Sequence, residues 1–516
     1  MIPRRSLLRA VVATALVTTP LLAQRGPDLR RLDAAIAKAR ADWNVPGLAV
    51  AVVKDGQPVF ARGYGVRHVT DGGTVDEHTL FAIASNTKAF TAASLAMLVD
   101  AGQLRWDTRV TDLLPWFELW NPYVTREMRV RDLLSHRSGL GTFSGDLLWY
   151  GTSYTAEEVV RRARHLAPAA GFREGYGYSN LMFIAAGEIV PALTGKPWDS
   201  FVRDRILDPL GMTETVTSVA ALAGRDNVAQ PHAEKAEGVV PVVWYHWDAM
   251  GAAGAIISSV HDMAKWLILQ LGRGEANAVR VFSEDASRTM WTPHIWIPVG
   301  AQSEKRFPTT HFSGYGLGWG LRDYRGRKLV SHGGGYDGMF SQVTLVPEEG
   351  LGIVVLTNAM TSVQTALTYQ ILDAYLGGDG KDWSAEYLAR ARADTSTERR
   401  QWLTWERARA PNTQPSLPLE AYAGTYGGAL YGDATVTVED GRLVLRLLPA
   451  PDLTADLTHW HYDVFRVQWR HVFPWFGDGL VQFQLAADGT VAEMKIDVPN
   501  DDFWFTELEL RRRPTP

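Results

Sequence analysis

Two apolar hairpins bracket the larger, first part of this chain and restrict its fold more than any other feature. "GLAVAVVKDGQPVFARGYGV" (47–66) sets two apolar runs around Lys54-Asp55-Gly56-Gln57. "FSQVTLVPEEGLGIVVLTN" (340–358) does the same around Pro347-Glu348-Glu349-Gly350. Apolar runs joined by a short turn rich in Gly, Asp and Pro read as antiparallel strands. Between them the pattern is mainly helical, as in "SNTKAFTAASLAMLVDAGQL", "TAEEVVRRARHL" and "WDSFVRDRILDPLGM". After the second hairpin, "TSVQTALTYQILDAYLGG" reads as an amphipathic helix. Strands from both ends with helices between predict one α/β sheet domain that holds a helical insertion.

The pattern changes near the C-terminus. Residues 381–415 are charged and then rich in Pro, Asn and Gln, which reads as a linker. Beyond it come short alternating runs, "YAGTYGG", "ATVTVEDGRLVLRLL", "LVQFQLAADGTVAEMKI" and "FWFTELELRR", with hairpin turns at Glu439-Asp440-Gly441 and Ala487-Asp488-Gly489. Residues 416–516 are therefore expected to form a small all-β barrel or sandwich.

The chain starts with "MIPRRSLLRAVVATALVTTPLLAQ". Paired arginines, a short apolar run and a small residue read as an export signal over residues 1–23, cut after Ala23. "RRSLLR" also resembles a twin-arginine signal. The remaining 24–380 segment is the main domain, and no later segment has the length and apolarity of a membrane helix. A periplasmic or extracellular protein without a membrane span in its mature chain is the expectation. A net charge of -5 over 516 residues argues against nucleic acid as a partner. No cysteine is present, which excludes disulfides, thiol catalysis and thiolate metal sites. No dinucleotide or phosphate-cradling motif occurs, and the expected cofactor and metal complement is none.

In "FAIASNTKAF" (81–90), Ser85 precedes Lys88 by three residues, a spacing that stacks hydroxyl and amine on one helical face. A chain this long contains on the order of one or two such pairs by chance, and a serine at a helix start can simply cap it. Two further segments change the weight of the pair. "EGYGYSNLMF" holds Tyr178-Ser179-Asn180, and "LVSHGGGYDGMFS" holds His332-Gly333-Gly334-Gly335.

Serine-x-x-lysine, tyrosine-x-asparagine and a polar residue before glycines, in this order, resemble the penicillin-recognising serine enzymes. The likeness is to their class C β-lactamase and D-aminopeptidase/esterase branch. "LLSHRSGL", "YSNLMFIAAGEI", "RILDPLGMTET", "YGLGWGL" and "GIVVLTN" extend it over roughly residues 30–375. The resemblance implies a β-lactamase-like antiparallel sheet flanked by helices, an all-helical subdomain, and a C-terminal barrel similar to lipocalin-like domains that cap the site or mediate assembly of like subunits. It also implies roles for residues. Ser85 would be the nucleophile, Lys88 its base and Tyr178 an acceptor or proton relay. Asn180, His332, Gly334 and Gly335 would bind substrate, with the N–H groups of Ser85 and Gly335 forming an oxyanion hole.

One departure matters. The β-lactamases and transpeptidases carry lysine where this chain has His332. A neutral histidine gives no fixed charge for a penicillin carboxylate and could instead polarise Tyr178. The resemblance therefore favours a serine hydrolase acting through an acyl-enzyme on an amide or ester, including peptides with D-residues. β-Lactamase, D,D-carboxypeptidase and a silent binding scaffold are the alternatives. The substrate is a small molecule or peptide. His136, the strand pair His459/His461 and the neighbours Arg173-Glu174 read as structural, Arg173-Glu174 as a solvated ion pair, while Trp319 and Tyr336 read either as pocket lining or as core.

Overall fold

The computed structural model describes residues 26–235, 238–393 and 396–514. The proposed export signal over residues 1–23 lies outside the described residues. Nine antiparallel strands form the main sheet. In spatial order they are Ile295–Trp296, Ser313–Tyr315, Gly320–Tyr324, Arg327–Tyr336, Met339–Val346, Leu351–Thr357, Gly47–Lys54, Gln57–His68 and Gly72–Thr74. The two hairpins read from the sequence thus meet in the middle of one sheet, with Val50 opposite Val355.

Alternation along the central strand explains why both of its faces are apolar. Ala49, Ala51 and Val53 enter one core, with the helix Val260–Leu271 and the helical insertion. Leu48, Val50 and Val52 enter the other, beneath the helices Leu29–Asp42 and Val363–Leu376. The helix Thr87–Asp100 is buried on nearly every side, so it carries no polar face. The polar groups it does bury, Lys88 among them, must therefore find partners inside the protein.

Eight strands close the C-terminal barrel, running Gly424–Gly428, Gly432–Glu439, Arg442–Leu447, Thr454–His461, Val464–Trp469, Gly479–Leu485, Val491–Asp497 and Leu510–Arg512. Tyr426 pairs with Arg512 to complete the ring, which leaves no free edge. Tyr422, Phe465 and Phe483 pack against one another at its core. The barrel shares one continuous hydrophobic cluster with the helical insertion. Its loops are bonded to that insertion: Ser153 N donates to Pro449 O at 2.9 Å, and Tyr154 Oη to Tyr431 O at 2.5 Å.

The segment 381–415 is largely helical, which differs from the linker expected. Helices occupy Trp383–Ala393 and Thr397–Ala408. Trp383 is buried among Phe307 and Tyr369 and donates to Asp373 at 2.7 Å. Trp402 of the second helix meets Trp460 of the barrel. Each tryptophan supplies tertiary anchorage that a count of charged residues does not register. Arg173 also departs from expectation. It binds Asp132 at 2.6 Å, a fully buried carboxylate shared with Arg137, and not its neighbour Glu174.

Candidate active site

Ser85 sits in a single turn, Ala84–Asn86, that leads directly into the helix Thr87–Asp100. Ala84 takes a left-handed conformation with φ +47°, which is strained for a residue with a Cβ. Asn86 holds the turn from the far side, donating to Ile83 O and to Ser341 Oγ. The Ser85 hydroxyl does not cap the helix. Lys88 Nζ lies 3.0 Å from its Oγ.

Lys88 is completely buried, and its Nζ also reaches Asn180 Oδ1 at 2.6 Å and Ala253 O at 2.9 Å. Burial pushes its pKa down to about 7, while the charge of Asp146 works in the opposite direction. The amine is therefore available as a free base near neutrality.

Tyr178 arrives on the loop before the helix Asn180–Thr194. Three backbone bonds hold that loop: Gly177 N to His136 O, Phe143 N to Tyr178 O, and Arg173 N to Arg137 O. A Cβ on Gly177 would lie 1.9 Å from Leu140 O, so only glycine allows this approach. The Lys88 ammonium position is 4.8 Å from the Tyr178 ring centre. Burial raises the Tyr178 phenol well above its ordinary value, opposed by a hydrogen bond with Ser85. That keeps Tyr178 protonated and suits a relay better than a resting phenolate.

His332 is 7 % exposed. Its Nδ1 lies 2.6 Å from Gly333 O, so it carries the proton, and Nε2 accepts from Tyr315 Oη at 2.7 Å. Burial and the nearby Lys88 push it down to about 3. The ring is neutral, as the sequence suggests, but the phenol it hydrogen-bonds is Tyr315, with the Tyr178 ring 6.2 Å away.

Ser85, Tyr178, Asn180, His332 and Gly335 all line a cavity of about 300 Å³. Gly334 does not. Its Cα faces the other way, and a Cβ there would fall 2.2 Å from Ile83 O and 2.4 Å from Ser341 Oγ. Gly334 allows the strand to lie against the serine turn, and Gly333 takes the place at the cavity wall.

Several lining residues were not legible from motif spacing. Asp146 is 2 % exposed and accepts from Asn180 Nδ2 at 2.6 Å. From the barrel, Trp475, Asp502 and Phe503 form part of the wall. A Cβ on Gly335 would meet the Trp475 ring at 2.7 Å, so this indole rests on the glycine strand itself. Trp149, Trp247 and Phe143 make the rest of the wall largely aromatic. His136, read as structural, packs at 4.2 Å from Tyr178 and accepts from Ser179 N at 3.0 Å. Trp319 and Tyr336 are core residues. A bulge interrupts the strand between His459 and His461, and no metal-binding cluster occurs among the described residues.

Two distant segments thus bring a hydroxyl with its buried amine neighbour, and a phenol, to one cavity, and residues 32–376 match the family description "Beta-lactamase". The chain belongs to the β-lactamase family. It is a serine hydrolase of the β-lactamase-like class. Residues 408–512 match a second description, "Domain of unknown function (DUF3471)". The unguisins hydrolase ungD of Aspergillus violaceofuscus is 32 % identical over 428 residues, covering 78 % of this chain and 75 % of the relative. The octameric penicillin-binding protein homologue from Pyrococcus abyssi superposes with a TM-score of 0.61 at 24 % identity, over 94 % of this chain and all of that one. D-amino acid amidase from Ochrobactrum anthropi superposes with a TM-score of 0.55 at 25 % identity, over 70 % of this chain and 99 % of that one. The β-lactamase family sheet and the appended barrel are both accounted for by these likenesses.

Proposed function

We propose that the protein is an exported amidase or peptidase that forms an acyl-enzyme on Ser85 and prefers aminoacyl groups with a large apolar side chain. The observation that carries this reading is the 3.0 Å contact between Ser85 Oγ and a buried Lys88 Nζ at the floor of an aromatic cavity. Ser85 attacks the carbonyl, and its proton passes to Lys88. The N–H groups of Ser85 and Gly335 face the developing oxyanion, a contribution of about 3 kcal/mol for each donor. Tyr178 relays a proton to the leaving group, and water completes the cycle.

Substrate class follows from the wall. Phe143, Trp149, Trp247 and Phe503 suit an apolar acyl side chain, and Asp502 adds a carboxylate to the same cavity. Burial raises Asp502 to about 6, so it is ionised at neutral pH and can hold a substrate ammonium. Likeness to a D-amino acid amidase supports D-aminoacyl amides as the first class to test. Export rests on the composition of residues 1–23; no helix among the described residues is long and apolar enough to cross a membrane.

A second reading, a carboxypeptidase, draws on Arg322. It lines an adjoining cavity of about 360 Å³ that meets the first at Tyr178, His332 and Gly333. Its guanidinium bonds Tyr369 and Thr310, with no carboxylate partner among the described residues. A leaving group ending in a carboxylate would suit it.

Kinetics on free and N-acetylated D-phenylalanine amides test the preferred reading. The free amine should be the better substrate, and Asp502→Asn should lower its kcat/KM on the order of 10- to 100-fold, the size of a lost charge-assisted bond. The acetylated substrate should respond little. Equal losses on both would remove Asp502 from amine recognition.

A further inference from the structure

Asp146 is a buried carboxyl beside the reacting groups with no role in the scheme above. It opens a short turn, Asp146–Leu148, in the loop that faces Ser85. The preceding residues hang from the barrel: Ser144 Oγ donates to Glu507 at 2.5 Å and Gly145 N at 2.8 Å. The carboxyl is thus fixed from two domains. Its Oδ2 accepts from Asn180 Nδ2 at 2.6 Å, while Asn180 Oδ1 accepts from Lys88 at 2.6 Å. Its Oδ1 makes no hydrogen bond of ordinary geometry among the described residues, while the Trp149 indole acts on the carboxyl as a donor.

An amide can face a lysine with either end, and the partner at its far end decides which. A carboxyl oxygen accepts, so it takes the Asn180 amide nitrogen and turns the carbonyl to Lys88. Reversal would set Nδ2 against the amine hydrogens and Oδ1 against the carboxyl. With Asn180 Oδ1 and Ala253 O each taking one Lys88 N–H, the third direction at Nζ points to Ser85 Oγ. In the free amine that direction is the lone pair.

We propose that Asp146 is a positioning residue for the base: its Oδ2 locks the Asn180 amide with the carbonyl toward Lys88. In the step itself the Ser85 proton moves to Lys88 Nζ as the Oγ–carbon bond forms, and the carbonyl electron pair moves onto oxygen. The same proton later goes to the leaving atom as its bond to carbon breaks. The proposal rests on the reading of Ser85 and Lys88 as nucleophile and base.

Burial pushes Asp146 up to about 8 and Lys88 down to about 7, so each favours its uncharged form and the two titrate as a coupled pair. Other titratable groups face them. His136 and His332 are both held neutral, chiefly by burial. Tyr178, Tyr176 and Tyr315 are held protonated by burial. Glu507, on the barrel side, is raised by burial, and Asp502 is raised to about 6. A single Asp502→Asn control therefore separates its titration from that of the pair.

The test is the pH profile of kcat/KM. Asparagine at 146 leaves only one titrating group of the pair, so Asp146→Asn should reduce the two coupled ionisations of the profile to one. Asp146→Ala, which frees the amide, should lower kcat at least about tenfold with little change in KM. A folded Asp146→Asn protein that keeps both wild-type ionisations, or an Asp146→Ala protein with the wild-type kcat, overturns the proposal. Should these variants fail to fold, lysine-labelled wild-type protein gives the Lys88 titration by NMR, assigned against Lys88→Met. Two inflections are expected, and a single one overturns the coupling. Loss of a Ser85 adduct would instead sink the underlying reading, so the two failures are distinguishable.

Discussion

Lys88→Met is expected to lower kcat/KM by roughly 10²- to 10⁴-fold, the range of a lost general base, while raising the melting temperature at neutral pH. The first effect follows from the 3.0 Å contact with Ser85 Oγ, which methionine keeps in shape and not in chemistry. The second follows from proton linkage. Lys88 titrates near 7 when buried and near the ordinary lysine value of 10.5 when unfolded. Between those values the unfolded chain binds the extra proton, so folding gains stability as pH rises and loses it toward pH 7. Methionine removes that loss. In the wild type the same ionisation places the acid limb of kcat/KM near pH 7, activity rising as the amine loses its proton. A variant that is both less active and less stable at neutral pH would contradict the burial of an uncharged amine.

Gly334→Ala is expected to be the most damaging methyl addition among the three adjacent glycines 333–335. Its Cβ would fall 2.2 Å from the Ile83 carbonyl, a backbone atom that cannot rotate away. Either the glycine strand or the serine turn must move, at a cost of roughly 1–3 kcal/mol or more. Because Ile83 leads into the turn that carries Ser85, activity should fall with stability. Gly335→Ala is the informative comparison. Its nearest obstacles are the side chains of Trp475 and Phe340, which can shift. Thermal melts and Ser85 labelling of the two variants should separate them, and equal tolerance would show that the strand does not press on the serine turn.

What the sequence discloses is what short-range pattern can encode. Strand alternation and the two turn segments are local, so the hairpins at 47–66 and 340–358 were legible, and their union in one sheet followed from their apolar faces. Ser85 and Lys88 were legible because one helical turn fixes their spacing. Tyr178, Asn180 and His332 needed a family likeness, since no periodicity links three segments so far apart. Asp146, Tyr315 and Trp475 had no local signal. Each matters only because another element meets it: Asn180 for Asp146, His332 for Tyr315, Gly335 for Trp475. The helices at 383–393 and 397–408 were hidden for the same reason, their tryptophans finding partners elsewhere in the fold. Gly334 was misread because three adjacent glycines look alike in sequence, whereas alternation sends the middle one to the opposite face.

The catalytic reading stands or falls on whether residue 85 becomes covalently modified. Brief exposure to a fluorophosphonate, or to a D-phenylalanine ester quenched in acid, followed by peptide mass measurement, addresses this directly. The mass increment should appear on the peptide containing Ser85 and vanish in Ser85→Ala. An unmodified peptide in folded protein that still turns over the ester, or the same increment on another residue, would contradict it.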